Sequence, residues 1–245
     1  MSTTSTAPGA EGYAARLAEV RRRVDASTTD PASIRIVAVT KGFGPEAVRW
    51  ALDAGLTDVG ENYADELVGK AAVLVGAGAG PPAPAPGTDT GRTPVAATPV
   101  WHYLGAVQRN KVARLAPLVA WWQGVRRLEE GHAIARRRPG ATVLVQLDVS
   151  GLPGRGGCPP DRVPELVEGL RDEDLQVAGL MAVGPPGPPE AARPGFALLS
   201  SLADSLELPV RSMGMSDDLE VALSEGSTML RIGRALFGER PVRAD

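Results

Sequence analysis

Apolar residues recur along this chain at two periods, and the periods alternate. Tyr13, Leu17, Val20 and Val24 are spaced by three and four with arginines between them, which predicts an amphipathic helix over Tyr13–Ala26. The run Ile34–Thr40 predicts a strand. Pro45 suits a first helical turn, Ala47, Val48, Ala51 and Leu52 form the next apolar stripe through Ala54, and Gly55 stops it. Thr57–Gly60 reads as a short strand and Tyr63–Val75 as a helix. Such alternation predicts βα units around a parallel sheet.

The pattern breaks at Gly76–Pro99, where Gly, Pro, Ala and Thr replace any apolar period. A segment of that composition cannot bury enough surface to offset its ordering entropy, so the expectation is a flexible surface insertion. The alternation then resumes. Strands are expected at Val100–Leu104, Leu118–Gln123, Ala141–Val149, Gln176–Ala182, Val210–Met213 and Met229–Ile232. Helices are expected at Val107–Leu115, Arg126–Arg138, Asp161–Leu170, Phe196–Leu206 and Asp217–Glu225, with Pro-rich loops at Gly151–Pro160 and Val183–Pro189. About eight strands alternating with about eight helices is the tally of a (β/α)8 TIM barrel, although a doubly wound sheet gives a similar pattern. The expected organisation is one α/β domain over residues 11–245, a disordered leader at residues 1–10 and the insertion at 76–99.

Composition narrows the function classes. A net charge of −3 argues against a dedicated nucleic-acid binder, and the triplets Arg21–Arg23 and Arg136–Arg138 read as solvated helix ends. A single cysteine, Cys158, excludes an intrachain disulfide and a multi-cysteine zinc site. No basic-then-apolar leader and no long apolar window is visible, so the expectation is a cytoplasmic protein with no membrane partner.

Lysine is scarce. Lys41, Lys70 and Lys111 are the only three, and arginine supplies nearly all the 26 basic residues. Lys41 follows directly on the strand Ile34–Thr40, where a barrel places its functional residues. A primary amine can lose its proton and attack a carbonyl, which a guanidinium cannot. An ordinary lysine opening a loop is the plainer reading of that position alone. The other strand ends carry Glu61-Asn62, Gly105, Asp148, Met181, Met213–Ser216 and Gly233-Arg234. They hold no cluster of histidines or carboxylates at metal-binding spacing, so no metal is expected.

The last two strand ends have the composition of an anion cradle. Met213-Gly214-Met215-Ser216-Asp217-Asp218 runs from a strand into a helix, and Arg231-Ile232-Gly233-Arg234 adds guanidiniums and a glycine. Gly214 making a turn and Ser216 capping a helix account for the first string equally well. His102, inside Trp101-His102-Tyr103, reads as a packed core histidine before a catalytic base, and His132 as a surface residue. Cys158 has no evident helper base, and Gly154–Gly157 matches no nucleotide loop.

With these strings assembled, the chain resembles the pyridoxal-phosphate homeostasis proteins, single-domain relatives of the alanine-racemase barrel. The resemblance rests on Val37–Lys41, Gly60-Glu61-Asn62-Tyr63 with Glu66-Leu67, Trp101–Gly105 with Gln108–Lys111, Gly179-Leu180-Met181, and the block Ser212–Asp218 … Gly226–Met229 … Arg231-Ile232-Gly233 … Phe237-Gly238. It spans about Ile34 to Arg240, interrupted by the insertion. Three positions depart from the family pattern: Arg234 stands where Thr or Ser is usual, Arg155 where Lys is frequent, and Arg211 where Leu is common.

The resemblance implies an alanine-racemase-like TIM barrel that holds pyridoxal 5′-phosphate as an internal aldimine on Lys41. It implies Ser212, Met213, Gly214, Arg231 and Gly233 on the phosphate side, and Asn62 and His102 lining the pocket. It further implies a vitamin B6 homeostasis protein, a monomer without catalytic turnover, with apo-enzymes that depend on the cofactor as possible recipients. Racemisation needs a base on each face of a planar carbanion, and the two-domain racemases take the second from a separate β domain. With the last strand so near Asp245 the expectation is that no such domain follows, and Tyr13, Tyr63 and Tyr103 have no evident claim to the role. The alternatives are a small fold-type III racemase-like enzyme acting on an amino acid, and a barrel that takes no cofactor.

Overall fold

The computed structural model of the protein describes residues 9–76, 97–151 and 156–240. Nearly all of the expected leader and of the 76–99 insertion lie outside the described residues, as does Arg155. Eight strands, β1 (Arg35–Val39), β2 (Asp58–Glu61), β3 (Val100–Tyr103), β4 (Val119–Val125), β5 (Thr142–Gln146), β6 (Gln176–Met181), β7 (Val210–Ser212) and β8 (Met229–Ile232), pair in parallel in sequence order. The pairing of β8 with β1, Val37 opposite Arg231, closes the barrel and excludes the open doubly wound sheet. Helices α1 (Ala10–Ser27), α2 (Pro45–Asp53), α3 (Ala64–Gly76), α4 (Val112–Leu115), α5 (Leu128–Ala135), α6 (Val163–Asp172), α7 (Arg193–Ser205), α8 (Leu219–Ser224) and α9 (Arg234–Phe237) complete the described helices.

Strand parity sorts the core into two layers. Ile36 and Ala38 of β1 face outward and join the main apolar layer beneath the helices, with Val59, Trp101, Trp122 and Phe196. Val37 faces inward with Trp121, Leu144, Met181 and Met229. Continuing the same parity, Thr40 points out towards α3 and Lys41 points in. The α1 stripe Tyr13, Leu17, Val20 and Val24 is buried as its spacing predicts. Tyr13 and Phe43 both lie against Phe237, with ring centroids 5.1 and 5.3 Å away, so α1 and the turn after β1 pack on the same ring of α9.

Several elements are shorter than their sequence patterns, and two of the differences, at β5 and α4, have a cause visible in the backbone. β5 stops at Gln146 because Leu147 and Asp148 continue the extended chain against the returning loop instead: Cys158 N–H donates to Gln146 O and Asp148 N–H to Cys158 O. The helix expected from Val107 begins later because Gln108 is extended, at φ −94° and ψ 113°, and a 3-10 turn at Arg109–Lys111 intervenes. No helix among the described residues is long and apolar enough to cross a membrane, and none of their His, Cys, Asp or Glu side chains cluster as a metal site.

Candidate functional site

β1 ends in a tight turn that carries Lys41 at its tip. Phe43 N–H donates to Thr40 O at 3.1 Å, closing a four-residue turn with Lys41 and Gly42 as its central pair. Gly42 has φ +79°, the left-handed value that the third position of a type II turn requires and glycine supplies without strain. A side chain there would also meet Arg240, whose Cδ lies 3.2 Å from where a Cβ would stand.

Lys41 opens into a cavity of about 610 Å³ at the C-terminal ends of the strands. Val39, Phe43, Leu104, Met181 and Val183 supply its apolar wall, and Asn62, Ser216 and Gly233 line its polar parts. Its charged groups are Lys41, Arg231, Arg234 and Arg240 against Asp217 and Glu239, so the cavity favours an anion. Arg234 is paired with Asp217 and lies 4.0 Å from Glu239. The buried side-chain oxygen of Asn62, Oδ1, has no hydrogen-bond partner among the described residues, an acceptor that a ligand donor in this cavity would satisfy.

Of the three lysines only Lys41 reaches this cavity. Lys70 is 5 % exposed and donates to Thr40 O at 2.7 Å and to the buried carboxylate of Glu61. Lys111 pairs with Asp65 on the surface at 2.8 Å. Burial, then the guanidinium of Arg240, then that of Arg231 hold the Lys41 amine below the ordinary lysine value, with Glu61 opposing. A larger neutral fraction at neutral pH follows, and the neutral amine is the nucleophile.

Behind the cavity, five inward-facing side chains from five strands form one hydrogen-bonded thread across the barrel. Arg231 donates to the Ser212 hydroxyl at 2.8 Å, and Ser212 donates to Gln123 Oε1 at 2.7 Å. The Gln123 amide meets His102 Nδ1 at 2.7 Å, and His102 Nε2 meets Asp58 Oδ1 at 2.8 Å. The polarity closes if Gln123 donates to Nδ1 and His102 donates from Nε2, which makes the imidazole neutral. Burial pushes its pKa down in agreement, against the pull of Asp58. Arg231 also donates to the carbonyls of Ser212 and Ala182, both at 2.6 Å. Burial brings its pKa down to about 10, with Asp218 opposing, so it stays cationic at neutral pH.

The structure therefore brings Lys41, Asn62, Arg231 and Gly233 together on the cavity wall. His102 and Ser212 lie one step behind, in the thread that holds Arg231. Met213 faces outward into the barrel–helix layer, and Gly214, at φ +94°, packs where a Cβ would press on Ala222 and Leu230. Ser216 hydroxyl accepts from Ala235 N–H at 3.0 Å, tying the β7 loop to α9 at the cavity edge. Arg211 turns outward to Asp204, so its charge never enters the barrel. Cys158 is buried, with its thiol pushed up by burial, and His132 lies on the surface beside Glu173. Sequence reasoning passed over Arg240, which follows the last helix with no periodic pattern to mark it; only its place two residues after Phe237-Gly238 could have drawn attention.

The chain is similar to known proteins in both sequence and fold. Residues 14–241 match the family model of the alanine racemase N-terminal domain. The chain is 38 % identical over 240 residues to a pyridoxal phosphate homeostasis protein of Pseudomonas aeruginosa, covering 94 % of this chain and 95 % of that one. It is 31 % identical to the protein of the same name in Escherichia coli, covering 91 % and 95 %. Among solved structures it superposes on PipY of Synechococcus elongatus with pyridoxal phosphate bound, with a TM-score of 0.71, 28 % identity, and coverage of 92 % of this chain and all 100 % of PipY.

Proposed function

The chain belongs to the alanine racemase N-terminal-domain family, and to the pyridoxal phosphate homeostasis proteins within it, and on that premise we propose that it binds pyridoxal 5′-phosphate and holds it for delivery or storage, without turnover. One observation carries the reading: Lys41 is the single lysine whose amine reaches the cavity, and the cavity is cationic. When bound, the cofactor supplies an aldehyde that condenses with a neutral primary amine, with loss of water. Lys41 supplies that amine. Ser216, Gly233 and Arg234 line the part of the cavity at the β7 and β8 ends, where barrels commonly hold phosphate. Arg231, fixed by Ser212 and Ala182, would offer the bound anion a cation at the cavity wall, and Asn62 Oδ1 an acceptor.

Racemase-type chemistry requires a second base facing Lys41 across the ligand. None of the three tyrosines lines the cavity. Tyr13 is buried against Phe237, Tyr103 faces outward and donates to Ala106 O at 3.4 Å, and Tyr63 is 54 % exposed immediately before α3. Neither histidine lines it either, and of the two carboxylates that do, Asp217 is paired with Arg234 and Glu239 lies 4.0 Å from the same guanidinium. This favours a holder over an enzyme. The same reading places the protein in the cytoplasm as a monomer, with cofactor-dependent apo-enzymes as recipients.

Absorbance titration with pyridoxal 5′-phosphate tests it. Wild-type protein should develop a saturable band near ~420 nm, a property of the cofactor's chemistry, and Lys41→Ala should not. Sustained amino-acid racemisation or decarboxylation by purified wild type, lost in Lys41→Ala, would overturn the carrier assignment.

A further inference from the structure

The peptide groups on both sides of Lys41 are held by a single helix. Lys70 of α3 donates from Nζ to the carbonyl of Thr40 at 2.7 Å. Glu66, one turn earlier on the same face, accepts from the N–H of Gly42 at 2.8 Å. The Thr40 hydroxyl donates to Glu61 Oε1 at 2.6 Å, and that same oxygen receives Lys70. Glu61 and Thr40 are fully buried, and Glu61 Oε2 has no hydrogen-bond partner among the described residues.

Stability alone is a poor account of this cluster. It sits between the barrel and α3, on the side of the strands that carries the main apolar layer. A buried ammonium–carboxylate pair there is costly to desolvate, and an apolar pair of similar volume often stabilises a fold at least as well. Burial holds the Glu61 carboxyl above the ordinary carboxylate range, with Lys70 and Thr40 opposing. What the cluster does achieve is geometric: it anchors both ends of the turn from which the Lys41 side chain departs.

We infer that Glu66 and Lys70 are positioning residues for Lys41: by bonding the flanking peptide groups they fix the turn so that its amine is aimed into the cavity. The inference rests on Lys41 being the reactive amine. Neither Glu66, Lys70 nor Glu61 lines the cavity, so none of them touches a ligand there. Aldehyde capture depends on the amine nitrogen lying on the approach path to the carbonyl carbon, where a fixed geometry raises the effective concentration. Ser216 and Gly233, where the proposed function puts the phosphate, belong to the β7 and β8 ends and not to the turn. Loosening the turn therefore weakens covalent capture and leaves phosphate recognition in place.

The test compares two probes on the full chain. Pyridoxal 5′-phosphate carries the aldehyde, and pyridoxine 5′-phosphate carries an alcohol instead. The variants are Glu66→Ala, Glu66→Gln, and the volume-matched double change Glu61→Gln with Lys70→Met, all checked for folding by circular dichroism. Glu66→Ala and the double variant should bind the aldehyde about tenfold more weakly, the loss of roughly one hydrogen bond's worth of positioning. Both should bind the alcohol within about twofold of wild type, and Glu66→Gln, which keeps an acceptor, should restore aldehyde binding. Parallel weakening of both probes, a variant that fails to fold, or unchanged aldehyde binding overturns the inference. Borohydride reduction and peptide mapping of wild type run alongside: label on Lys41 with unchanged variants sinks the positioning role alone, whereas label elsewhere sinks the Lys41 assignment with it.

Discussion

Arg231 donates through Nη1 to both the carbonyl and the hydroxyl of Ser212, at 2.6 and 2.8 Å. The two residues stand on neighbouring strands β7 and β8, both facing inward, and the Ser212 hydroxyl passes the connection on to Gln123. The guanidinium on the cavity wall is thus set by groups on the far side of the barrel. Rigid placement of a cation by its own protein partners is what a binding site needs before a ligand arrives.

Removing that cation should cost stability as well as binding. Arg231→Leu takes the guanidinium donors from the Ala182 carbonyl and the Ser212 hydroxyl in a buried site, while the Ser212 carbonyl keeps only the Ala182 N–H. The expected loss is about 3 kcal/mol, seen in thermal unfolding as a fall in Tm on the order of 6–12 °C. A fall below about 2 °C would show that these groups find other partners.

The thread also predicts a pH dependence. Burial lowers the folded-state pKa of His102, so on acidification the unfolded chain takes up a proton that the folded chain resists. Its contribution to stability is therefore present above the ordinary histidine value of about 6.5 and is lost as pH falls below it. Urea midpoints of wild type should fall more steeply from about pH 7 to pH 5 than those of His102→Gln. Equal slopes in the two proteins would refute a neutral, buried His102.

Lys41 gives the companion prediction for a base held below its ordinary value. Between the folded and unfolded pKa the unfolded chain binds more protons, so this group makes stability rise with pH in that window. The rate of Lys41 modification by an amine reagent should rise with a midpoint below the usual lysine value. Arg240→Gln removes a neighbouring cation, moves that midpoint upward and slows modification at neutral pH. An unshifted profile would remove Arg240 from the site.

Gly42→Ala tests the turn directly. The residue sits at φ +79° with Arg240 Cδ 3.2 Å from the added Cβ, so the change should cost about 1–2 kcal/mol and weaken aldehyde binding. A variant as stable and as tight as wild type would mean that the turn relaxes freely.

Much of this architecture was legible in the residues, for reasons that can be named. The strand–helix alternation and the position of Lys41 after an apolar run follow from periodicity, and β1 indeed ends one residue before Thr40. Site geometry was harder, because strand parity flips at every residue. Ser212 and Met213 are neighbours in sequence, yet one faces the barrel interior and the other the helices. The strand expected at Ala141–Val149 reads through to Val149 because its alternation continues while its partner changes from β6 to the loop at Cys158. Lys70 carried no mark of its role: its burial depends on Glu61 and Thr40, which the fold alone brings to it.

Borohydride reduction of the protein mixed with pyridoxal 5′-phosphate, followed by peptide mapping, tests the central claim most directly. The account predicts one reduced, cofactor-labelled peptide carrying the label on Lys41. Label on Lys70 or Lys111, or no stable label under conditions that saturate the absorbance change, would contradict it.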